Sequence, residues 1–557
     1  MQFLVVFCLA ALLALGAAEH PSFPVNQGKT ALDEYVWAPD SHYGWTELTE
    51  HQLEGKGFLH VEKKWTGYTL NVTSQQWLTP DAFSNTSDSG SIWYHILVVI
   101  VPEKVEFKNN ASMYITGWGQ PNPDGSNLPN AKDEDIRVAA SLAVSTGIIT
   151  GCLFQIPNEH TTFTSDPIQK SRSEDAIIAF TWDHFLKNPT DNDWLLRFPM
   201  VKGSLRAMDA MTEFVAKKFP ELDTSLDYYS VAGASKRGWT TWDVGAVNPE
   251  RVVAIIPIVL DAINFVSVMK HQYQSYNGWS WALQDYMDED IFTRLDSPNM
   301  QLLAEEVDPY YYRDRLTMPK LVVNAVADEF QQPDDTHYWW DEMPGPKHFI
   351  MTPNAEHSEA TGIFEIVPAI GAWIQQLLKD HKSVPEFTWD ISTETGEITA
   401  TLNEHGLVKQ ARVWYAYSCG NNKDGKKRRD FRIANLDSPC ECGVTVQGMC
   451  TNLKSMWTPK KLEEKKDANG MRTYSAQIDA PEDGRWVAYF IDIQYAKNKI
   501  DSLIPVIDKL PGFIPRDLFG RMQFTTEVSV WPNTFPYPGC GITDGVDTGI
   551  ECTANMV

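Results

Sequence analysis

Residues 228–242 read "YYSVAGASKRGWTTW", a short apolar run that stops at Ser235 and gives way to a helix-like stretch. A serine on the tight turn between a strand and a helix is the nucleophile position of the G-x-S-x-G motif. Gly233 and Ser235 fit that motif, but Arg237 stands where the second glycine belongs, and Gly238 follows one place late. Strand and helix cross closely at such a turn, so its neighbours must be small. Gly233 and Ala234 meet that need before the serine. Arg237 fits if its side chain points away from the sheet and outward.

Working outward from Ser235, the runs "IWYHILVVIVPEKV", "SMYITGWG", "GIITGCLFQIP", "VVAIIPIVL", "KLVVNAVADEF" and "KHFIMTPN" are nearly continuous and apolar. Strands buried on both faces read this way. Helical patterns lie between them, among them "SEDAIIAFTWDHFLKN". "GSLRAMDAMTEFVAKKF" puts Leu205, Met208, Met211, Val215 and Phe219 on one face. Alternation of this kind predicts a mainly parallel α/β sheet. It pauses over 265–318, an aromatic insert placed to act either as a lid or as a packed excursion. Near residue 384 the period changes to two. We read a β-sandwich over 384–500 and a Cys-containing tail over 501–557.

A serine hydroxyl needs a base, a carboxylate to orient that base, and donors for the oxyanion. In the order Ser, acid, His, each partner occupies a loop after a strand. Asp328 ends the strand "KLVVNAVAD", and His357 sits in the loop after "KHFIMTPN". Glu329, Asp334 and Asp335 compete with Asp328 but lie farther from the strand end. His348 is at the wrong end of its strand, and His160 precedes the serine. The Lys236 backbone N–H is one oxyanion donor, and Trp118 and Gly119 in "TGWGQPNP" offer a second. The Lys236 ammonium either reaches the developing oxyanion or points into solvent.

The chain has 557 residues, 43% of them hydrophobic, with a formal net charge of -26. Such a charge repels phosphate backbones, which excludes nucleic acid as a partner. An apolar run from Phe3 to Leu15, followed by Gly16, Ala17 and Ala18, reads as a signal peptide over 1–18. It is shorter than a span of about 20 residues. The sequence therefore predicts a secreted or secretory-lumen protein with no membrane span after processing. Sequons at Asn71, Asn85 and Asn110 agree with that route. So do Cys419, Cys440, Cys442, Cys450, Cys540 and Cys552, read as disulfides with Cys540–Cys552 as one pair. "CEC" with Cys450 matches no zinc spacing, and neither metal nor organic cofactor is expected. Cys152 reads as a buried free thiol. The basic cluster "KDGKKRRD" over 423–430 reads as a solvated loop.

"GASKRGWTTW", "ADEF" followed by "PD", "TGWGQPNP" and "TGCLFQIPNEHTTF" resemble the PhoPQ-activated pathogenicity-related family over roughly residues 30–500. The resemblance implies an α/β-hydrolase fold, over 19–383, with Ser235, Asp328 and His357 as triad-like positions. The elbow also resembles that of glucuronoyl esterases, G-C-S-R-x-G, with Lys236 at the arginine position. The expected function is a secreted serine hydrolase acting on an ester or amide, a peptidase being one subtype. The family also holds a secreted proliferation repressor of a social amoeba. This implies a second reading, a signalling factor that presents the fold to a cell-surface receptor.

Overall fold

The computed structural model describes residues 30–56, 63–117, 127–380, 384–403, 407–495, 522–553 and 555–557. The signal peptide expected over 1–18 lies outside them.

Nine strands form one sheet. They are β1 (Gly44–Lys56), β2 (Lys64–Gln76), β3 (Ile92–Pro102), β4 (Asn110–Ile115), β5 (Ile149–Leu153), β6 (Tyr228–Ala234), β7 (Val252–Ile258), β8 (Lys320–Ala325) and β9 (Lys347–Thr352). Their order is β1-β2-β3-β5-β4-β6-β7-β8-β9. The pairs from β1 through β3 to β5 are antiparallel, and those from β5 through β4 to β9 are parallel. Parallel neighbours need crossovers. The helices are α1 (Ala31–Trp37), α2 (Glu134–Thr146), α3 (Glu174–Lys187), α4 (Arg197–Lys218), α5 (Lys236–Val247), α6 (Phe265–Tyr276), α7 (Gln284–Asp288), α8 (Pro298–Val307) and α9 (Ile363–Asp380). α2 connects β4 to β5, α3 and α4 connect β5 to β6, and α5 connects β6 to β7. Between β8 and β9 the only helical turn is the short 3₁₀ segment Asp335–Tyr338.

This is the α/β-hydrolase fold: a mainly parallel sheet between helices, with the serine turn after a central strand. β8 is buried at every position, as its continuous apolar run requires. On α4, Leu205, Met208, Met211 and Val215 are buried. Phe219 caps the helix and is only half-buried, because the helix ends at Lys218. The segment 265–318 folds into α6, α7, α8 and 3₁₀ turns that pack beside the serine turn.

The residues after 384 build two larger sheets, besides a small three-stranded one within 434–452 and a two-stranded one within 542–547. One runs Phe387–Ile391, Ile398–Leu402, Arg472–Ala476, Lys465–Lys466; the other runs Thr458–Lys461, Val408–Tyr417, Val487–Tyr495, Gln523–Thr525. Ser529–Trp531 also pairs with Val487–Tyr495. Two short strands from beyond residue 500 thus complete the second sheet. The core between the sheets is continuous with α9, Ile491 and Ile398 sharing one apolar cluster with Trp373.

The basic cluster is not a solvated loop. Lys423 and Lys426 are exposed, but Arg428 and Arg429 are buried, as is Arg432 just beyond. Carboxylates draw them in: Arg428 binds Asp437 through both terminal nitrogens (2.8 and 2.6 Å), and Arg432 binds Asp430 (2.8 Å). Buried guanidinium groups survive only when paired in this way.

Disulfides join Cys419–Cys442, Cys440–Cys450 and Cys540–Cys552. Cys152, inside β5, is the free cysteine among the described residues, and burial pushes its thiol well above the usual value. A native chain beginning at residue 19 should therefore give no rapid thiol reaction. The unfolded, unreduced chain should titrate about one thiol. A titration giving several would break the disulfide framework.

Candidate active site

Ser235 joins β6 to α5 with φ 57° and ψ −128°, a strained conformation that lifts the side chain above the strand end. Its N–H donates to the Ile258 carbonyl (2.8 Å), and its own carbonyl accepts from Trp239 N–H (3.0 Å). Both glycines of the altered motif are needed here. A Cβ on Gly233 would lie 2.6 Å from the Arg237 carbonyl oxygen, and one on Gly238 would lie 2.8 Å from that of Ile258. The late glycine is where α5 presses on β7, so the motif is shifted rather than lost.

The structure brings Ser235, His357 and Asp328 into one hydrogen-bonded line. His357 Nε2 is 2.8 Å from Ser235 Oγ, and His357 Nδ1 is 2.7 Å from Asp328 Oδ2. A carboxylate only accepts, so Nδ1 carries the proton and leaves Nε2 to accept the serine hydroxyl. The other oxygen of Asp328 accepts from Phe330 N–H (2.7 Å). The Phe330 ring stands 4.3 Å from the imidazole, centroid to centroid. Burial alone would lower the pKa of His357. The charge and hydrogen bond of Asp328 outweigh it and raise the pKa above the usual imidazole value, with Lys236 opposing. Glu329 accepts from His357 N–H (3.1 Å). Burial, and then the neighbouring Asp328, push its carboxyl up to about 7.

The other acids and histidines weighed from the sequence sit elsewhere. Asp334 pairs with Arg429 and Asp335 with His271. His348 is buried 3.1 Å from the Pro385 carbonyl. His160 faces Asp88 at the surface. The Lys236 amide belongs to the first turn of α5, whose N–H groups have no partner within the helix. Trp118 and Gly119 lie outside the described residues.

Neither side chain after the serine behaves as expected. Lys236 points neither at an oxyanion nor into solvent: its ammonium lies 2.8 Å from Glu174 and 2.9 Å from Asp175. Arg237 is not turned outward. Its Nε donates to the Ile156 carbonyl (2.6 Å), its Nη2 meets Glu174 (2.5 Å), and it packs where any side chain on Gly117 would have to stand. Burial alone would raise the Glu174 carboxyl, but Arg237 and Lys236 hold it down to about 2. Tyr286 O–H donates to Asp175 (3.0 Å). Sequence reading missed this pair, since acids opening a helix are common there for the helix dipole alone.

Above the serine lies a pocket open to solvent, with about 620 Å³ of empty space counted to its mouth. Trp182, Trp239, Phe265, Leu283, Tyr286 and Phe292 form most of its apolar wall, with Ser235 and His357 at one side. Arg197, Lys236 and Asp175 form its polar edge. Arg197 is already engaged by the Lys236 carbonyl (2.5 Å) and Thr240 (3.1 Å). Among the described residues no cluster of histidine, cysteine or carboxylate side chains is arranged to hold a metal.

Fold and site together define a protein of the α/β-hydrolase class with a serine–histidine–aspartate line at the strand ends. More specifically, the chain belongs to the PhoPQ-activated pathogenicity-related protein family, whose model matches residues 32–432. It is 33% identical over 520 residues to autocrine proliferation repressor protein A of Dictyostelium discoideum, covering 92% of each chain. Among solved structures it is similar to Est1E from Butyrivibrio proteoclasticus, at TM-score 0.32 and 12% identity over 52% of this chain and 96% of that one. It is also similar to an acetyl xylan esterase from Paenibacillus sp. R4, at TM-score 0.39 and 10% identity over 61% and 92%. At these scores the structural likenesses decide nothing about the reaction.

Three outcomes follow from this geometry. Gly238→Ala should destabilise the fold by about 1–3 kcal/mol in denaturant melts, because a Cβ there overpacks α5 against β7. For any ester the protein hydrolyses, kcat/KM should rise with pH through a midpoint above the ordinary imidazole value, since only neutral His357 accepts a proton. In Asp328→Asn the midpoint should fall, because burial and Lys236 remain while the larger of the two raising charges is gone and only that of Glu329 is left. The rate should drop by up to roughly 10⁴-fold.

Proposed function

We propose that this protein is a secreted serine hydrolase that cleaves an ester or amide through an acyl-enzyme. The observation that carries this reading is the Ser235–His357–Asp328 line opening into an apolar pocket. Ser235 Oγ attacks the carbonyl while His357 Nε2 takes its proton. Asp328 holds the imidazole in the required tautomer and stabilises the imidazolium. The first-turn amide of Lys236 faces the oxyanion. His357 then protonates the leaving group, and water repeats the steps in reverse to free Ser235.

The pocket favours a neutral apolar acyl group, aromatic or short aliphatic. The charge of Lys236 is met by two carboxylates and Arg197 is bonded to backbone, so a uronic acid finds poor reward there. The three disulfides support an oxidising compartment, and among the described residues no helix is long and apolar enough to cross a membrane. Of the sequons, Asn85 is exposed and accessible to a glycan, whereas Asn71 keeps its Oδ1 buried within β2.

A fluorophosphonate probe should label Ser235, as read by peptide mapping. Ser235→Ala should abolish both labelling and hydrolysis while folding normally, and His357→Ala should match it, since base and nucleophile act as one unit. An unlabelled wild-type protein would sink the hydrolase reading. The name of the Dictyostelium relative, a proliferation repressor, favours a second reading, a secreted growth-restraining signal recognised by a cell-surface receptor. Under that reading Ser235→Ala keeps full potency in a proliferation assay run on the same preparation.

A further inference from the structure

We propose that Arg429 is a positioning residue for the acid of the serine site: it clamps the loop that carries Asp328 from outside the hydrolase sheet. The inference rests on the hydrolase reading above. The loop after β8 holds Asp328, and six residues farther on it presents Asp334 to Arg429. Arg429 grips Asp334 through both terminal nitrogens, at 3.0 and 2.5 Å. The same guanidinium lies 3.2 Å from His271 Nε2, on α6 of the insert. His271 Nδ1 in turn lies 2.6 Å from Asp335 Oδ1, whose other oxygen accepts from Gln332 N–H (2.7 Å). All four side chains of this cluster are no more than 5% exposed.

The clamp has further points of attachment. Ile433 N–H donates to the Ala327 carbonyl (3.4 Å), one residue before Asp328. Gln272 of α6 donates to the Phe330 carbonyl (3.0 Å), and Gln331 accepts from Asp261 N–H (2.5 Å). The loop between Asp328 and Asp335 is therefore held from three sides: by the β7 end, by α6, and by residues 429–433. The β7 end contributes a hydrogen bond between neutral groups, and α6 one such bond together with the His271–Asp335 contact. The third is a forked ion pair, which fixes direction as well as distance. A displacement of about 1 Å in a reacting group can cost about a hundredfold in rate. The clamp acts where Asp328 sets the orientation of His357.

A buried ion pair in a seam could equally serve folding alone, so the test compares two arginines of one segment. Arg428 is as buried as Arg429, but its acidic partners, Asp430 and Asp437, belong to its own segment. Arg429→Met, Arg429→Lys, Asp334→Asn and Arg428→Met are compared with wild type on p-nitrophenyl butyrate. The low-field proton resonance of His357 Nδ1–H is recorded for each and assigned by its absence from His357→Ala. Arg429→Met should lower kcat roughly tenfold to hundredfold, the scale for residues that orient a catalytic group, with KM within about twofold. Its resonance should weaken or move upfield. Arg429→Lys should recover part of the rate, keeping charge without the fork. Asp334→Asn should show the same pattern more mildly, and it carries the test if Arg429→Met does not fold. Arg428→Met should lower melting temperature yet keep kcat and the resonance. Equal losses in the two arginine variants, or a folded Arg429→Met with wild-type kcat and resonance, would overturn the proposal. If wild type cleaves no ester and takes no fluorophosphonate, the hydrolase reading fails. The resonance then decides the clamp by itself, kept in Arg428→Met and lost in Arg429→Met, or the clamp is wrong.

Discussion

One backbone conformation governs the region around the serine. With φ at 57°, Ser235 turns the chain from β6 straight into α5, and nothing larger than hydrogen fits at Gly233 or Gly238. That crossing fixes where α5 starts, hence where its leading amides point and where Lys236 and Arg237 emerge. Strain of this kind persists only where the surroundings over-determine it. Here the Ile258 carbonyl, the Trp239 amide and the Arg237 anchor at Ile156 all bear on the same turn.

The shift of the second glycine has a structural use. Glycine at 237 would leave the space beneath Gly117 open. Arginine fills it and ties three chain segments together: the end of β4, the loop at Ile156 and the start of α3 at Glu174. The Glu174–Asp175 pair then draws in Lys236, so two cations and two carboxylates close into a compact group beside the pocket. Such a group stiffens the rim of the pocket without presenting a strong net charge to a ligand.

Much of this was legible from residue order. Continuous apolar runs mark strands buried on both faces, and a polar residue at the end of such a run, as at Ser235 and Asp328, stands beyond the C-terminal ends of the strands. His357 follows by the same logic. What stayed hidden depends on partners far away in the chain. Arg428 and Arg429 sit among lysines in "GKKRRD", and nothing local distinguishes an arginine that meets Asp334 from one that meets water. Lys236 and Arg237 were misread for the same reason, as Glu174 is some sixty residues upstream. The strands Gln523–Thr525 and Ser529–Trp531 are too short to impose a period, and they exist because Val487–Tyr495 offers them an edge.

The order in which these parts are made has a consequence. Ser235, Asp328 and His357 all leave the ribosome before residue 428, and the sheet carrying them can fold early, since domains fold from the N-terminal end during synthesis. Arg429, the strands after residue 520 and the disulfide Cys540–Cys552 arrive last. The nascent polypeptide therefore carries the Ser235–His357–Asp328 line before Arg429 can reach Asp334. The second C-terminal sheet gains its last two strands, and the contacts at Asp334 their partner, only as synthesis nears its end.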